Sequence, residues 1–218
     1  WSSDVCSSDL KFGITSLVTG LIVTLSILIF RNMIISSSAE GLQYAGLWES
    51  LFRLSTFYNL IIFSPISIYF LPKFSSENSF IRRKNKILKI SKMVIAFTLL
   101  ACSFSILFGD QIILFLFSND FLQISSLIWL IILAETLRII GSTFHLENIV
   151  KERFKLIVLI EATSYFLFLL SLYLFILNDS FSLLYASICY LLCTSTFMLL
   201  NIVTFYLFSA WSKKNINA

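Results

Sequence analysis

The chain has 218 residues, 58% of them hydrophobic and only 13% charged, with a mean hydropathy of +0.90 and a formal net charge of +4. Soluble domains carry about 25% charged residues, so a soluble enzyme or a nucleic-acid-binding domain is excluded and an integral membrane protein is implied. Phe 23 against Gly 6 and Pro 2 favours long lipid-facing helices over a barrel, whose strands would read as short alternating segments.

The first ten residues, WSSDVCSSDL, form a polar run without signal-peptide character that ends abruptly at an apolar helix. The stretch DVCSSDL resembles one reading frame of a common sequencing adapter, so residues 1–10, Cys6 included, are expected to be non-native. Six apolar segments follow, at 12–30, 47–70, 87–108, 121–144, 154–177 and 182–210. They predict an all-α polytopic bundle of six transmembrane helices.

Lys73, Arg82, Arg83, Lys84, Lys86, Lys89 and Lys92 lie between the second and third segments. Lys151, Arg153 and Lys155 lie between the fourth and fifth, and Lys213 and Lys214 at the tail. The alternate loops carry Arg31 with Glu40, then Asp110 and Asp120, then Asp179. By the positive-inside rule both ends of the chain are expected in the cytoplasm. The segment QIILFLF, 111–117, is too short to span and is expected in the outer interface.

The second segment carries Glu49 and Arg53. Its roughly 24 residues give about 36 Å of helix against a hydrocarbon core of about 30 Å, so it can span. Two charges facing lipid would cost on the order of 5 to 7 kcal/mol, which makes a lipid-facing placement marginal. Thr56 and Ser67 share their side of the helix and Ser64 lies slightly off it; Leu60 and Phe63 interrupt the stripe, and Pro65 is expected to kink the helix. The stripe reads as a cavity wall, the plainer alternative being a Glu49–Arg53 pair that only fixes packing.

The fourth segment repeats the pattern, with Glu135, Arg138, Ser142 and His145 within about 80° of one face. Arg138, near mid-span, should face the bundle interior, water or an anionic ligand. Its partner is either Glu135 on its own helix or Glu161 on the fifth. His145, the one histidine, is a candidate proton relay or an ordinary core histidine. Arg31 is either a snorkelling anchor at the end of the first span or a third interior arginine. Together Arg31, Arg53 and Arg138 predict one cationic interior suited to an anion. Cys102, Cys189 and Cys193 read as packing residues, and no metal-ligand cluster, glycine-rich phosphate loop, catalytic constellation or cofactor motif occurs.

The order RN at Arg31 and Asn32, AGLW at Ala45 to Trp48, a basic residue at Arg53, SIYFLPKFSS at Ser67 to Ser76 and LFSNDF at Leu116 to Phe121 resembles the Wzx-type polysaccharide flippases. Glu135, Arg138 and Glu161 fall where that family carries like charges. The resemblance covers 11–218. It implies the C-terminal six-helix half of a twelve-helix fold of the multidrug, oligosaccharidyl-lipid and polysaccharide exporter superfamily, its partner being an N-terminal half. It further implies a bacterial inner-membrane transporter, not an enzyme, that moves undecaprenyl-pyrophosphate-linked oligosaccharide to the periplasmic leaflet for O-antigen or enterobacterial common antigen synthesis. Its pathway neighbours would be a polymerase and a chain-length regulator. By that resemblance Arg31, Arg53 and Arg138 would hold the pyrophosphate, with Glu49, Glu135, Glu161 and His145 as cavity or ion-pair groups.

Three other readings compete. A cation-exporting drug antiporter of the same superfamily is disfavoured by interior arginines. A membrane polysaccharide polymerase or ligase would bring a large external loop, and every external loop here is short. A non-transporting assembly partner would have little use for interior charges.

Overall fold

The computed structural model describes residues 3–37, 40–77, 79–177 and 182–216, apart from the side chains of 3–9, 71, 74, 75, 80 and 209–216. Asp179 and the side chains of Lys213 and Lys214 lie outside that description. Six helices long and apolar enough to cross a membrane are present, and no strand occurs among the described residues. They are α1 (Ser3–Ser37), α2 (Gly41–Ser75), α3 (Phe80–Leu116), α4 (Ile128–Val150), α5 (Phe154–Leu177) and α6 (Leu183–Ile216), with a 3-10 segment, Asn119–Leu127, leading into α4.

The helices outrun the apolar segments. α1 starts inside the polar N-terminal run and ends at Ser37, so Arg31 sits within the helix and does not close it. At the start of α2 a Cβ on Gly41 would stand 2.3 Å from the Ile35 carbonyl oxygen, a contact only glycine avoids. Pro65, where a kink is expected, and Pro72 both lie inside one continuous helix. A break falls at Phe108 of α3 (φ −123°, ψ 19°), and 111–116 continues that helix beyond it, with Phe117 as its extended cap. Ile113 is fully buried there while Phe115 faces outward, so this segment packs on the 3-10 turn as an extension of α3.

α4 is displaced from the predicted 121–144 because 119–127 is wound as 3-10 helix and because its polar C-terminal turn, Glu147 and Asn148, finds partners that let the helix reach Val150. It closes in a Schellman-type cap: Glu152 N–H donates to Ile149 O (3.0 Å) and Arg153 N–H to Asn148 O (2.9 Å), with Glu152 at φ 51° where glycine is usual.

α4 is the centre of the bundle, packed against α2, α3, α5 and α6, while α1 packs on α2 and α5. Its approach to α6 is close: a Cβ on Gly141 would lie 2.9 Å from Met198 Cα, as expected where a small residue lets two helix backbones meet. Leu17, Leu21 and Leu25 of α1 and Leu99, Leu100, Phe104 and Leu107 of α3 are exposed, the placement lipid-facing spans require.

The buried apolar residues fall into two clusters. One holds Phe30, Ile34, Trp48, Leu51, Ile113, Ile131, Ala134, Phe168 and Leu172; the other holds Ile66, Ile87, Ile90, Val94, Ile139, Phe144 and Phe205. Along α4 the boundary runs between Ala134 and Ile139. The predicted interior charges of α4 stand in that gap.

The basic segments meet at one end of the bundle. Arg83 of α3 pairs with Glu147 of α4, Lys84 lies 5.1 Å over the Tyr206 ring of α6, and the Arg153 guanidinium lies 3.9 Å over Phe208. An up-and-down arrangement of six helices puts the start of α1 there too, beside Arg153 and Phe208.

Candidate functional site: a polar layer across the middle of the bundle

Glu135 is buried, at 2% exposure, and saturated with donors. It accepts hydrogen bonds from Ser55 Oγ and Asn59 Nδ2 of α2, the latter at 2.7 Å, and from the Tyr190 hydroxyl of α6. Ser55 and Asn59 are four apart and so share a face of α2. One turn of α4 thus ties three helices through a single carboxylate. Beside it Thr136, Thr98 and Tyr58 form a hydroxyl triangle joining α4, α3 and α2, with edges of 2.7, 3.0 and 3.3 Å.

Arg138 turns toward α5. Its Nη1 donates to the Tyr165 hydroxyl at 2.7 Å, and its guanidinium lies 5.5 Å from the ring centres of both Tyr165 and Phe197. Of the two carboxylates weighed as its partner, Glu161 is the one in range, Nη2 to Oε2 at 4.0 Å, beyond hydrogen-bond distance. That oxygen has no hydrogen-bond partner among the described residues. Glu135 is engaged elsewhere, and no Glu135–Arg138 ion pair is present among the described residues.

These groups border a cavity of about 250 Å³ lined by Ser55, Thr56, Asn59, Ser64, Glu135, Arg138, Tyr165 and Tyr190, with Val23, Phe52 and Leu60 completing the wall. It opens past Thr56 and Leu60, both exposed. Its floor is one guanidinium and the carboxylate of Glu135, with Glu161 behind the guanidinium.

The other sequence candidates stand apart from this layer. Arg53 and Glu49 pair on the exposed face of α2, Nε to Oε1 at 3.4 Å, with side-chain exposures of 67% and 37%. α2 buries Leu51 and Ser55, and Arg53, midway between them in sequence, points to the opposite side at about 100° per residue. Thr56 and Ser64 of the expected stripe do line the cavity, whereas Ser67 turns its hydroxyl to its own backbone at Ser64 O, 2.9 Å. Arg31 is exposed on α1, next to the buried Phe30, and makes no ion pair among the described residues. The three arginines therefore do not converge inside this bundle; only Arg138 is interior. His145 is held at Nδ1 by Asn201 Oδ1 (2.9 Å) and lies against Phe197, 5.7 Å between ring centres. That is the environment of a satisfied core histidine. Cys189 and Cys193 are buried free thiols in the packing of α6, and no group of three metal-ligating side chains occurs among the described residues.

Ser55, Asn59, Tyr165 and Tyr190 are the members of this layer that sequence reasoning missed. Asn59 was legible as an amide in the middle of an apolar span. Tyrosines in such spans are common enough that nothing marked these two.

A second charged group ties the basic end. Arg83 and Glu147 are both buried, at 7% side-chain exposure: Nη2 donates to Oε1 at 3.0 Å, and Nε–Oε2 at 2.8 Å is an ion-pair contact without hydrogen-bond alignment. Arg83 also donates to the Glu77 carbonyl. Glu77 receives Lys86 Nζ at 3.2 Å, and that hydrogen bond holds its carboxyl below the ordinary carboxylate range. Comparison of the chain with profiles of protein families, with curated proteins and with solved structures gives no match.

Proposed function

We propose that this chain is six helices of a bacterial inner-membrane flippase that carries the pyrophosphate headgroup of an undecaprenyl-linked oligosaccharide across the bilayer. One observation carries the reading: Arg138, at mid-span beside an open polar cavity, has its nearest counter-charge only at 4.0 Å. A buried cation held so loosely can exchange Glu161 for a phosphate oxygen, and the planar fork offers two parallel donors to it. Moving a pyrophosphate through hydrocarbon unaided is prohibitive by desolvation, so a wet, hydrogen-bonding wall is what a carrier must supply. Thr56, Ser64 and Asn59 provide that wall, and the exposed Arg53 stands one turn above its mouth. The exposed face of α2 would then meet a second six-helix unit, with the polyprenyl tail left in lipid and both chain ends in the cytoplasm.

The test is export of lipid-linked glycan in a flippase-deficient host that also expresses the second six-helix unit, with every variant at equal membrane level. Arg138→Lys should export weakly, keeping the charge and losing the fork, while Arg138→Gln should not export. Wild-type export by Arg138→Gln would overturn the proposal. A second reading, a cation or drug antiporter of the same superfamily, draws on the presence of two carboxylates, Glu135 and Glu161, beside one guanidinium. It predicts that Glu135→Gln or Glu161→Gln abolishes efflux of a cationic dye in energised vesicles, an outcome the flippase reading does not produce.

A further inference from the structure

A second cavity, of about 640 Å³, lies at the basic end between the start of α1, the α4–α5 turn and the end of α6. Lys11, Arg153 and Lys155 supply cations to it, against the single carboxylate of Glu152; Ile14, Phe154, Leu156 and Phe208 form its apolar wall. Lys11 and Lys155 are exposed and pair with no acid among the described residues. Arg153 is fixed in place: its guanidinium lies over Phe208 at 3.9 Å and its Nη1 reaches Asn148 Oδ1 at 3.4 Å. Partial burial lowers its pKa from the ordinary guanidinium value, against the opposing pull of Glu147. The first turn of α5 adds the N–H groups of Phe154, Lys155 and Leu156, which precede the first backbone bond of that helix, Ile157 N–H to Arg153 O.

Three membrane spans end at this place, beginning at Leu10 and Phe154 and finishing at Phe208. That is the depth of lipid headgroups, with hydrocarbon on one side and water on the other. A surplus of cations at that depth, above an apolar wall, is complementary to a phosphate that carries acyl chains. A free phosphate would use the cations and leave Ile14, Leu156 and Phe208 idle.

From this placement we infer an anionic-phospholipid site: Lys11, Lys155 and Arg153 hold the headgroup phosphate, and acyl chains run along Ile14, Leu156 and Phe208. The site is separate from the mid-bundle cavity and does not depend on what the chain transports. Its test is therefore binding.

The 218-residue chain, purified in a mild detergent, is incubated with fluorescent phosphatidylglycerol or phosphatidylcholine of the same acyl chains, and retained lipid is measured after gel filtration. Phosphatidylglycerol should be retained in preference. The double variant Lys11→Gln/Lys155→Gln should weaken its retention by roughly thirtyfold, which is about 1 kcal/mol for each lysine. Both lysines are exposed, and helical circular dichroism verifies that the double variant is folded. Glu152→Gln should tighten retention by removing the opposing charge. Equal retention of the two lipids, or retention untouched by the double variant, would overturn the site. Full displacement of the lipid by inorganic phosphate would overturn the assignment to a lipid headgroup.

Discussion

Removing the positive charge of Arg138 separates two kinds of arginine in this chain. Arg138 and Glu161 have side-chain exposures of 18% and 13%, so Arg138→Gln leaves a largely buried carboxylate without its cation and the Tyr165 hydroxyl without its charged donor. Breaking a buried pair from one side costs about 3 to 5 kcal/mol, and the 4.0 Å separation places this pair near 3. Arg53→Gln breaks an exposed i,i+4 pair that contributes about 0.3 to 0.5 kcal/mol. The double change Arg138→Gln/Glu161→Gln removes both charges and should recover most of the single-variant loss. Reversible unfolding of the detergent-solubilised chain, followed by helical circular dichroism, reads all four proteins. A loss below about 1 kcal/mol for Arg138→Gln, or an equal loss for Arg53→Gln, would refute the assignment of one arginine to the interior and the other to the surface. In the export assay the double variant should stay inactive though stable; restored export would reduce Arg138 to half of a packing pair.

Gly141→Ala drives a methyl group to 2.9 Å from the Met198 backbone, so α4 and α6 must part, and unfolding should show a loss of about 1 to 3 kcal/mol. The Glu77 carboxyl is held below its ordinary value of 4.5, so its contribution is fully present above that value and is lost as pH falls through the lower folded one. Glu77→Gln should thus lower stability at neutral pH, and the gap from wild type should close in acid; a gap that widens in acid would reverse the sign. A single cysteine placed by Lys84→Cys should react with an impermeant thiol reagent only after permeabilisation and one placed by Ser37→Cys in intact cells, because the basic segments share one end of the bundle. Labelling of Lys84→Cys in intact cells would invert the topology.

Charge and hydropathy were enough to read six spans and one basic end, because lipid admits few ways of satisfying a backbone. Element ends were less legible. The fourth apolar segment was read from 121, but 119–127 winds as 3-10 helix, and the break in α3 came at Phe108 with no proline to mark it. The interior was legible one helix at a time: Glu135, Arg138 and Glu161 all lie at or beside the polar layer. What a helical wheel could not give was rotation against neighbours. Glu49–Arg53 and Glu135–Arg138 look alike in sequence, yet α2 turns its pair outward, and α4, enclosed by four helices, turns both members inward to different partners. Arg83 was legible only as one more cytoplasmic positive charge, since its carboxylate is 64 residues away on α4.

The central position of α4 has a consequence for how the chain is inserted during synthesis. Each charged residue at mid-helix opposes release into lipid by about 2.5 to 3.5 kcal/mol, and α4 carries Glu135 and Arg138 near its middle, with Glu147 in its last turn. Its partners are made on both sides of it in time. Ser55, Asn59 and Arg83 leave the ribosome before α4, so Glu135 and Glu147 meet donors as soon as they arrive. Glu161, Tyr165 and Asn201 come later, and until α5 and α6 follow, Arg138 and His145 stand unanswered. α4 must therefore wait against α2 and α3 at the insertion machinery and does not partition alone. A nascent chain halted after Val150 presents at mid-membrane a guanidinium that lacks both Glu161 and Tyr165.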